Sequence, residues 1–193
     1  MGEAVTDQRS SWVRRLSLSR NTVYVKTYEY ASWRDRLRSL WRWTAPWRRS
    51  RAARECDAYA WLAEHGFPAP AAFACFERRS AGLLARATLV TAAVPGEPAD
   101  QLLAMVDEAQ RQALGRRIGA FVHRLHALGF RDRNLDLRNL LVDGEQIAKI
   151  DSPRHVLVRP GAREDRLSRA DWARLLPQLA KFGLEQAARD ARS

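Results

Sequence analysis

Apolar and polar positions follow two different rhythms along this chain, and the change falls near residue 95. Before it, short runs alternate with the period of two expected of half-buried strands. Thr22–Tyr28 is the clearest, β-branched or aromatic nearly throughout, with Val23, Val25 and Thr27 on one face and Tyr24, Lys26 and Tyr28 on the other. Trp12–Leu18 partly alternates, and Ser19-Arg20-Asn21 can turn the chain between the two. Ala71–Phe76 and Leu83–Val94, joined by Glu77–Gly82, predict a second antiparallel pair. One helix interrupts the strands. Ser50 is placed to cap it, Gly66 and Pro68 to stop it, and Ala52, Cys56, Tyr59, Ala60 and Ala63 form its apolar stripe beside Glu55.

Val94-Pro95-Gly96-Glu97-Pro98 is the densest Pro/Gly cluster and reads as a hinge. The domain organisation expected is a loose 1–11, a strand-rich 12–94 and a mainly helical 95–193. After the hinge, Asp100 is placed to cap a short helix through Val106. Leu114, Ile118, Phe121, Val122, Leu125 and Leu128 then recur at helical spacing up to Gly129. His123 and His126 lie on or beside that face and read as packed side chains, because no further His or Cys has ligand spacing. Another helix is expected from about Ser168, containing Trp172, Leu175, Leu176 and Leu179.

Between these helices, Leu140–Val142 and Ile147–Ile150 flank Asp143-Gly144, a strong short-range hairpin signal. Such a hairpin brings Asn139 and Asp151 near each other at its open end. An amide oxygen and a carboxylate there suit a hard cation such as Mg²⁺; the plainer reading is a solvated surface hairpin.

Composition narrows the field. Of 193 residues 46% are hydrophobic, enough for a folded core, and no apolar run is long enough to span a bilayer. The first residues lack the basic and apolar regions of a signal peptide. Cys56 and Cys75 stand among apolar neighbours and read as small buried residues in a reducing cytoplasm. The formal charge of +11 implies an anionic partner: nucleic acid, an acidic membrane surface or a phosphorylated substrate.

Residues 33–54 concentrate that charge. Trp33, Trp41, Trp43 and Trp47 are interleaved with eight arginines against the single Asp35, before Glu55. Interfacial helices have this composition, and so do arms that stack on bases. A solvated basic face with its tryptophans packed inward is the third possibility. Nucleic acid ranks last, because no recognition motif accompanies the charge.

In chain order the features are a strand lysine (Lys26), a helix glutamate (Glu55), two strands, a hinge, a long helix, a loop ending in Asn139 and a hairpin ending in Asp151. That is the order of parts in a protein-kinase-like fold of the α+β class: two-lobed, with an abbreviated β-rich N-lobe and a small α-helical C-lobe. Phosphoryl transfer from ATP would use Lys26 to cancel phosphate charge, Glu55 to orient that lysine, and Asn139 with Asp151 to hold Mg²⁺.

The sequence also resembles the bacterial lipopolysaccharide kinase (Kdo/WaaP) family over roughly residues 12–180. The resemblance lies in Val23-Tyr24-Val25-Lys26-Thr27-Tyr28, in Arg51-Ala52-Ala53-Arg54-Glu55 leading to Gly66-Phe67-Pro68-Ala69-Pro70, and in His126-Ala127-Leu128-Gly129 followed by Asn139-Leu140-Leu141-Val142. It implies ATP and Mg²⁺, a Kdo or heptose acceptor on lipopolysaccharide or lipid A-core, and work at the cytoplasmic face of the inner membrane as a peripheral protein. An anionic membrane surface is then the expected second partner, and nucleic acid is not expected.

Two departures from the family pattern stand out. Five residues before Asn139, where the family's catalytic loop carries Asp, this chain has Asn134, flanked by Asp132 and Asp136. Asn can orient a hydroxyl but cannot take its proton, so the base is a neighbouring Asp or is absent. No Gly-rich loop precedes Lys26, and Asp151-Ser152-Pro153 replaces Asp-Phe-Gly. Two readings follow: an active core-sugar kinase, or a catalytically impaired relative that binds glycolipid or a partner in envelope assembly.

Overall fold

The computed structural model describes residues 3–8, 11–17, 22–161 and 165–191. The chain divides into two compact units, Met1–Val94 and Pro95–Ser193. The expected turn at 19–21 lies outside the described residues.

In the first unit, β1 (Glu3–Gln8), β2 (Ser11–Ser17) and β3 (Thr22–Glu29) form an antiparallel meander. The segment expected to be loose therefore contains a strand. Its alternation is broken by Glu3 and Asp7, and it is held by pairing to β2 with a bulge between Ala4 and Thr6. Next come a six-residue helix α1 (Trp33–Arg38), a π-helical turn over Leu40–Thr44, and α2 (Arg51–Glu64). Ser50 Oγ accepts from the Ala53 N–H and so caps α2 as its sequence predicts. The buried stripe of α2 is Ala52, Glu55, Ala58, Tyr59 and Leu62. It runs beside the expected one, so Cys56, Ala60 and Ala63 are not in the core. Strands β4 (Ala72–Ser80) and β5 (Leu83–Ala92) complete the sheet in the order β1-β2-β3-β5-β4. They meet at a tight turn with Ala81 and Gly82 both at positive φ. The central strands β3 and β5 place Lys26 opposite Leu89. Cys56 is half-buried and Cys75 exposed on the edge strand β4, so neither is the buried residue expected. Partial burial, with Cys56 close by, still pushes the Cys75 thiol up to about 11.

The second unit opens with the short strand β6 (Glu97–Pro98) and α3 (Ala99–Met105), whose N-cap position is Pro98; Asp100 lies in the first turn instead. The long helix α4 (Glu108–Ala127) begins with a capping box in which Asp107 and Gln110 satisfy each other's backbone N–H groups. It ends at Gly129 (φ +91°), where a Cβ would come within 2.2 Å of the Val158 carbonyl oxygen. Beyond it lie β7 (Phe130–Arg131), the hairpin β8 (Leu140–Asp143) and β9 (Gln146–Lys149), and β10 (Val156–Leu157). The sheet order β6-β8-β9 ties the Pro/Gly cluster to the hairpin, and β10 pairs with β7. Helices α5 (Arg166–Ala180) and α6 (Glu185–Asp190) finish the unit. Its core is aliphatic: Leu103, Leu114, Ile118, Val122, Leu135, Leu137, Leu140 and Leu175 are all nearly or fully buried. Leu135 and Leu137 anchor the loop between them, which sets the side chains that follow.

Candidate active site

In the first unit, Lys26 Nζ donates to both oxygens of Glu55, at 3.1 and 3.0 Å. The strand projects Lys26 from the sheet, and the buried stripe of α2 projects Glu55 toward it. Two phenols complete the carboxylate's shell. Tyr28 donates to Oε2 at 2.9 Å and Tyr59 to Oε1 at 2.6 Å. Glu55 is thus a fully satisfied buried charge, 2% exposed, while Lys26 keeps 19% of its side chain in solvent. A buried carboxylate with four donated hydrogen bonds is a rigid fixture. It holds the ammonium at one place on the sheet surface. The two tyrosines are functional supports that the sequence reading missed, although Tyr28 was placed on the face of Lys26 and Tyr59 on the helix stripe.

In the second unit, the hairpin does bring Asn139 and Asp151 together. The Ile150 N–H donates to the Asn139 carbonyl at 3.0 Å. Asn139 Nδ2 donates to the Asn134 carbonyl at 3.2 Å, so the side chain's remaining polar atom is the acceptor Oδ1. Asn134 in turn donates through Nδ2 to the Asp151 carbonyl oxygen at 3.0 Å and to Asp151 Oδ2 at 2.8 Å. Asp151 has φ +58°, a left-handed conformation that Asp tolerates better than most residues, and those two bonds hold it there. An amide side chain and a carboxylate thus stand at the open end of the hairpin, and oxygens of this type are the ones that suit Mg²⁺. Among the described residues no cluster of three or more His, Cys, Asp or Glu forms a self-sufficient metal cage.

Both carboxylates named as candidate bases are engaged by cations. Asp132 is turned into the interior, 1% exposed, with Oδ2 3.1 Å from Nζ of Lys149, itself fully buried. Burial pushes its carboxyl up, against the pull of Lys149 and Ser152, and the Asp171 charge adds to the rise. Asp136 is committed as well. It accepts from the Arg138 N–H at 3.2 Å and from that residue's guanidinium at 3.0 and 3.1 Å, with Arg174 at 3.7 Å. Burial works against its charge, but these arginine contacts win and hold it below the usual carboxylate range.

Asp171, which the sequence reading did not single out, fixes the loop from beneath. On α5 and 1% exposed, it accepts the N–H of Asp132 at 2.9 Å and of Arg133 at 2.7 Å. Arg133 sits at φ +59°, so one carboxylate pins the bend that aims Asn134. His126 Nε2 lies 3.2 Å from the same carboxylate, which accounts for that histidine as a packed side chain.

A family model described as the lipopolysaccharide kinase (Kdo/WaaP) family matches residues 3–187. The chain belongs to that family. Membership implies ATP as phosphoryl donor. Among solved structures, the chain is similar to one described as WaaP in complex with acyl carrier protein, with a TM-score of 0.67 and 17% identity. The match covers 98% of this chain and 75% of that one. At that identity the likeness establishes the fold, which is α+β and kinase-like. No curated protein matches the sequence.

Proposed function

We propose that this protein transfers the terminal phosphoryl group of ATP to a hydroxyl of an inner-core sugar, Kdo or heptose, of lipopolysaccharide. The work is placed at the cytoplasmic face of the inner membrane, where an anionic surface meets a chain of net charge +11. The observation that carries the reading is Lys26 held by Glu55, Tyr28 and Tyr59, a group whose one evident use is to meet phosphate charge at a fixed point. Asn139 and Asp151 would hold Mg²⁺, which when bound neutralises charge on the triphosphate. Asn134 keeps the Asp151 carboxylate aimed. No side chain of the loop is set to accept the acceptor's proton. Because the transition state of phosphoryl transfer is loose, positioning and charge neutralisation dominate, and the loss of a base costs less than the loss of Lys26. The experiment is transfer of labelled phosphate from Mg²⁺-ATP to purified lipid A-core, compared with Lys26→Ala. Transfer that vanishes in the variant supports the assignment; no transfer beside an active relative under the same conditions overturns it.

A second reading has one observation in its favour. Asn134 stands where the family resemblance implies a base Asp, and Asp132 and Asp136 are both engaged by cations. On that reading the protein is a catalytically impaired relative that binds nucleotide and glycolipid, or a partner in envelope assembly. Nucleotide binding without transfer is its signature.

A further inference from the structure

Helix α1 has no buried residue, although five of its six positions are Trp, Leu or the arginines beside them. Its apolar side chains therefore do not serve the core. Trp33 is 53% exposed, Leu37 58%, Trp41 74% and Trp47 67%. Each is followed at once by an exposed arginine: Arg34, Arg38, Arg42 and Arg48. The first three apolar residues are spaced by four, so along a helical path they follow one face with an arginine stripe turned to its side. The rings of Trp41 and Trp47 are 6.4 Å apart, which extends the apolar stripe across Pro46.

The rest of the segment anchors it. Trp43 is 9% exposed, with the Arg51 guanidinium 5.4 Å over its ring. The Thr44 hydroxyl donates to the Arg36 carbonyl at 2.5 Å, and Arg36 donates to the Tyr30 carbonyl at 2.9 Å. Residues 33–49 contain six arginines and one acid, and that acid, Asp35, is tied to Ser32 at 2.6 Å. The structure thus sorts the tryptophans: one packs inward and three stand out beside positive charge.

We infer that Trp33, Leu37, Trp41 and Trp47, with Arg34, Arg38, Arg42 and Arg48, form a docking surface for the headgroup layer of an anionic bilayer. The rings enter the interface and the guanidinium groups meet lipid phosphates. A bare protein surface rarely keeps such a group of large apolar side chains in water. Lipid is favoured over an acidic protein because apolar side chains and charges lie in parallel stripes, the arrangement that a flat interface between water and hydrocarbon matches. No helix of the described residues is long and apolar enough to cross a membrane, so this patch supplies contact without insertion of a span. The inference rests on the membrane location proposed above and deepens it, but it does not need the phosphotransfer assignment.

The test is co-sedimentation of the full chain with phosphatidylcholine vesicles, alone or mixed with phosphatidylglycerol at about three to one. Brominated acyl chains report tryptophan quenching in parallel. The expected result is binding to the anionic vesicles that weakens with salt, with quenching, and little binding to phosphatidylcholine alone. The triple variant Trp33→Ser, Trp41→Ser, Trp47→Ser and the charge variant Arg38→Glu, Arg42→Glu should each bind at least about tenfold more weakly. Both should keep the wild-type melting temperature and Mg²⁺-ATP affinity, since these side chains are exposed and stand outside the site. Unchanged vesicle binding in either variant, or equal binding to both vesicle types, overturns the inference. Absence of phosphate transfer by the wild type would overturn the kinase reading and leave this one standing.

Discussion

The side-chain amide of Asn134 donates to both the carboxylate and the carbonyl oxygen of Asp151, at 2.8 and 3.0 Å. Where the family resemblance implies Asp, this chain therefore holds a donor matched to its neighbour's charge. Asn134→Asp would set two carboxylates against each other. Two like charges about 4 Å apart cost about 4 kcal/mol at an effective dielectric near 20. The expected outcome is a melting temperature lowered by several degrees in chelator and restored by millimolar Mg²⁺ to a greater extent than in the wild type. Thermal denaturation with and without Mg²⁺ measures it, and an Mg²⁺ response equal to that of the wild type would refute the metal assignment of Asp151.

Lys26→Met tests the phosphate contact proposed for the first unit. It removes the cation that meets phosphate charge and leaves Glu55 buried with only its two tyrosine donors. Breaking a fully buried pair costs about 3–5 kcal/mol. Here about 2 kcal/mol is expected, because Lys26 keeps 19% exposure and the phenols remain. Phosphate transfer should fall by about 10²-fold or more, the scale of a lost charge-stabilising group. Urea denaturation and single-turnover transfer separate the two effects. A stability loss with transfer intact would remove Lys26 from the phosphate site.

The difference between what was legible in the chain and what was not follows burial of charge. Strand β3, the Ser50 cap, the Asp143-Gly144 hairpin and the apolar stripe of α4 each carry local signals, and Lys26, Glu55, Asn139 and Asp151 were reachable from them. The residues missed are those whose setting is decided by distant chain. Lys149 carries no local mark of burial, and it is Asp132, from the loop, that meets it in the interior. Asp171 reads as one more polar position on an amphipathic helix, and its role depends on N–H groups 38 and 39 residues away. Strand β1 went unread because Glu3 and Asp7 break its alternation, and pairing with β2 overrides that. The Trp/Arg segment left its tryptophans undecided because π-helical winding, which has no local sequence mark, determines that Trp43 turns inward.

The Asp132–Lys149 pair gives a test of the base assignment. Lys149→Met alone strands a carboxylate in the interior and should cost about 3–5 kcal/mol. The double variant Asp132→Asn, Lys149→Met replaces the charges together and should recover most of that loss. A double-mutant cycle by chemical denaturation measures the coupling. If Asp132 only braces the loop, the double variant keeps phosphate transfer within about tenfold of the wild type. A fall of several orders of magnitude in a variant that remains folded would reinstate Asp132 as the base.

Acid sensitivity should begin at Asp165, the N-cap of α5. Its carboxylate accepts the N–H groups of Leu167 and Ser168, each at 2.8 Å, and the guanidinium of the buried Arg131 at 3.1 Å. Partial burial opposes its charge, but these donors prevail and hold its carboxyl below the usual value. The folded state then binds this proton less readily than the unfolded chain. Stability from the group is present above the unfolded carboxylate value near 4 and is lost as pH falls through the lower folded one. Asp165→Asn keeps a competent cap but loses the charge that faces Arg131. The variant should therefore melt below the wild type at neutral pH, and the gap should close between about pH 5 and pH 3. Melting curves across that window check it; a gap independent of pH would mean that the contribution of Asp165 is its hydrogen bonds and not its charge.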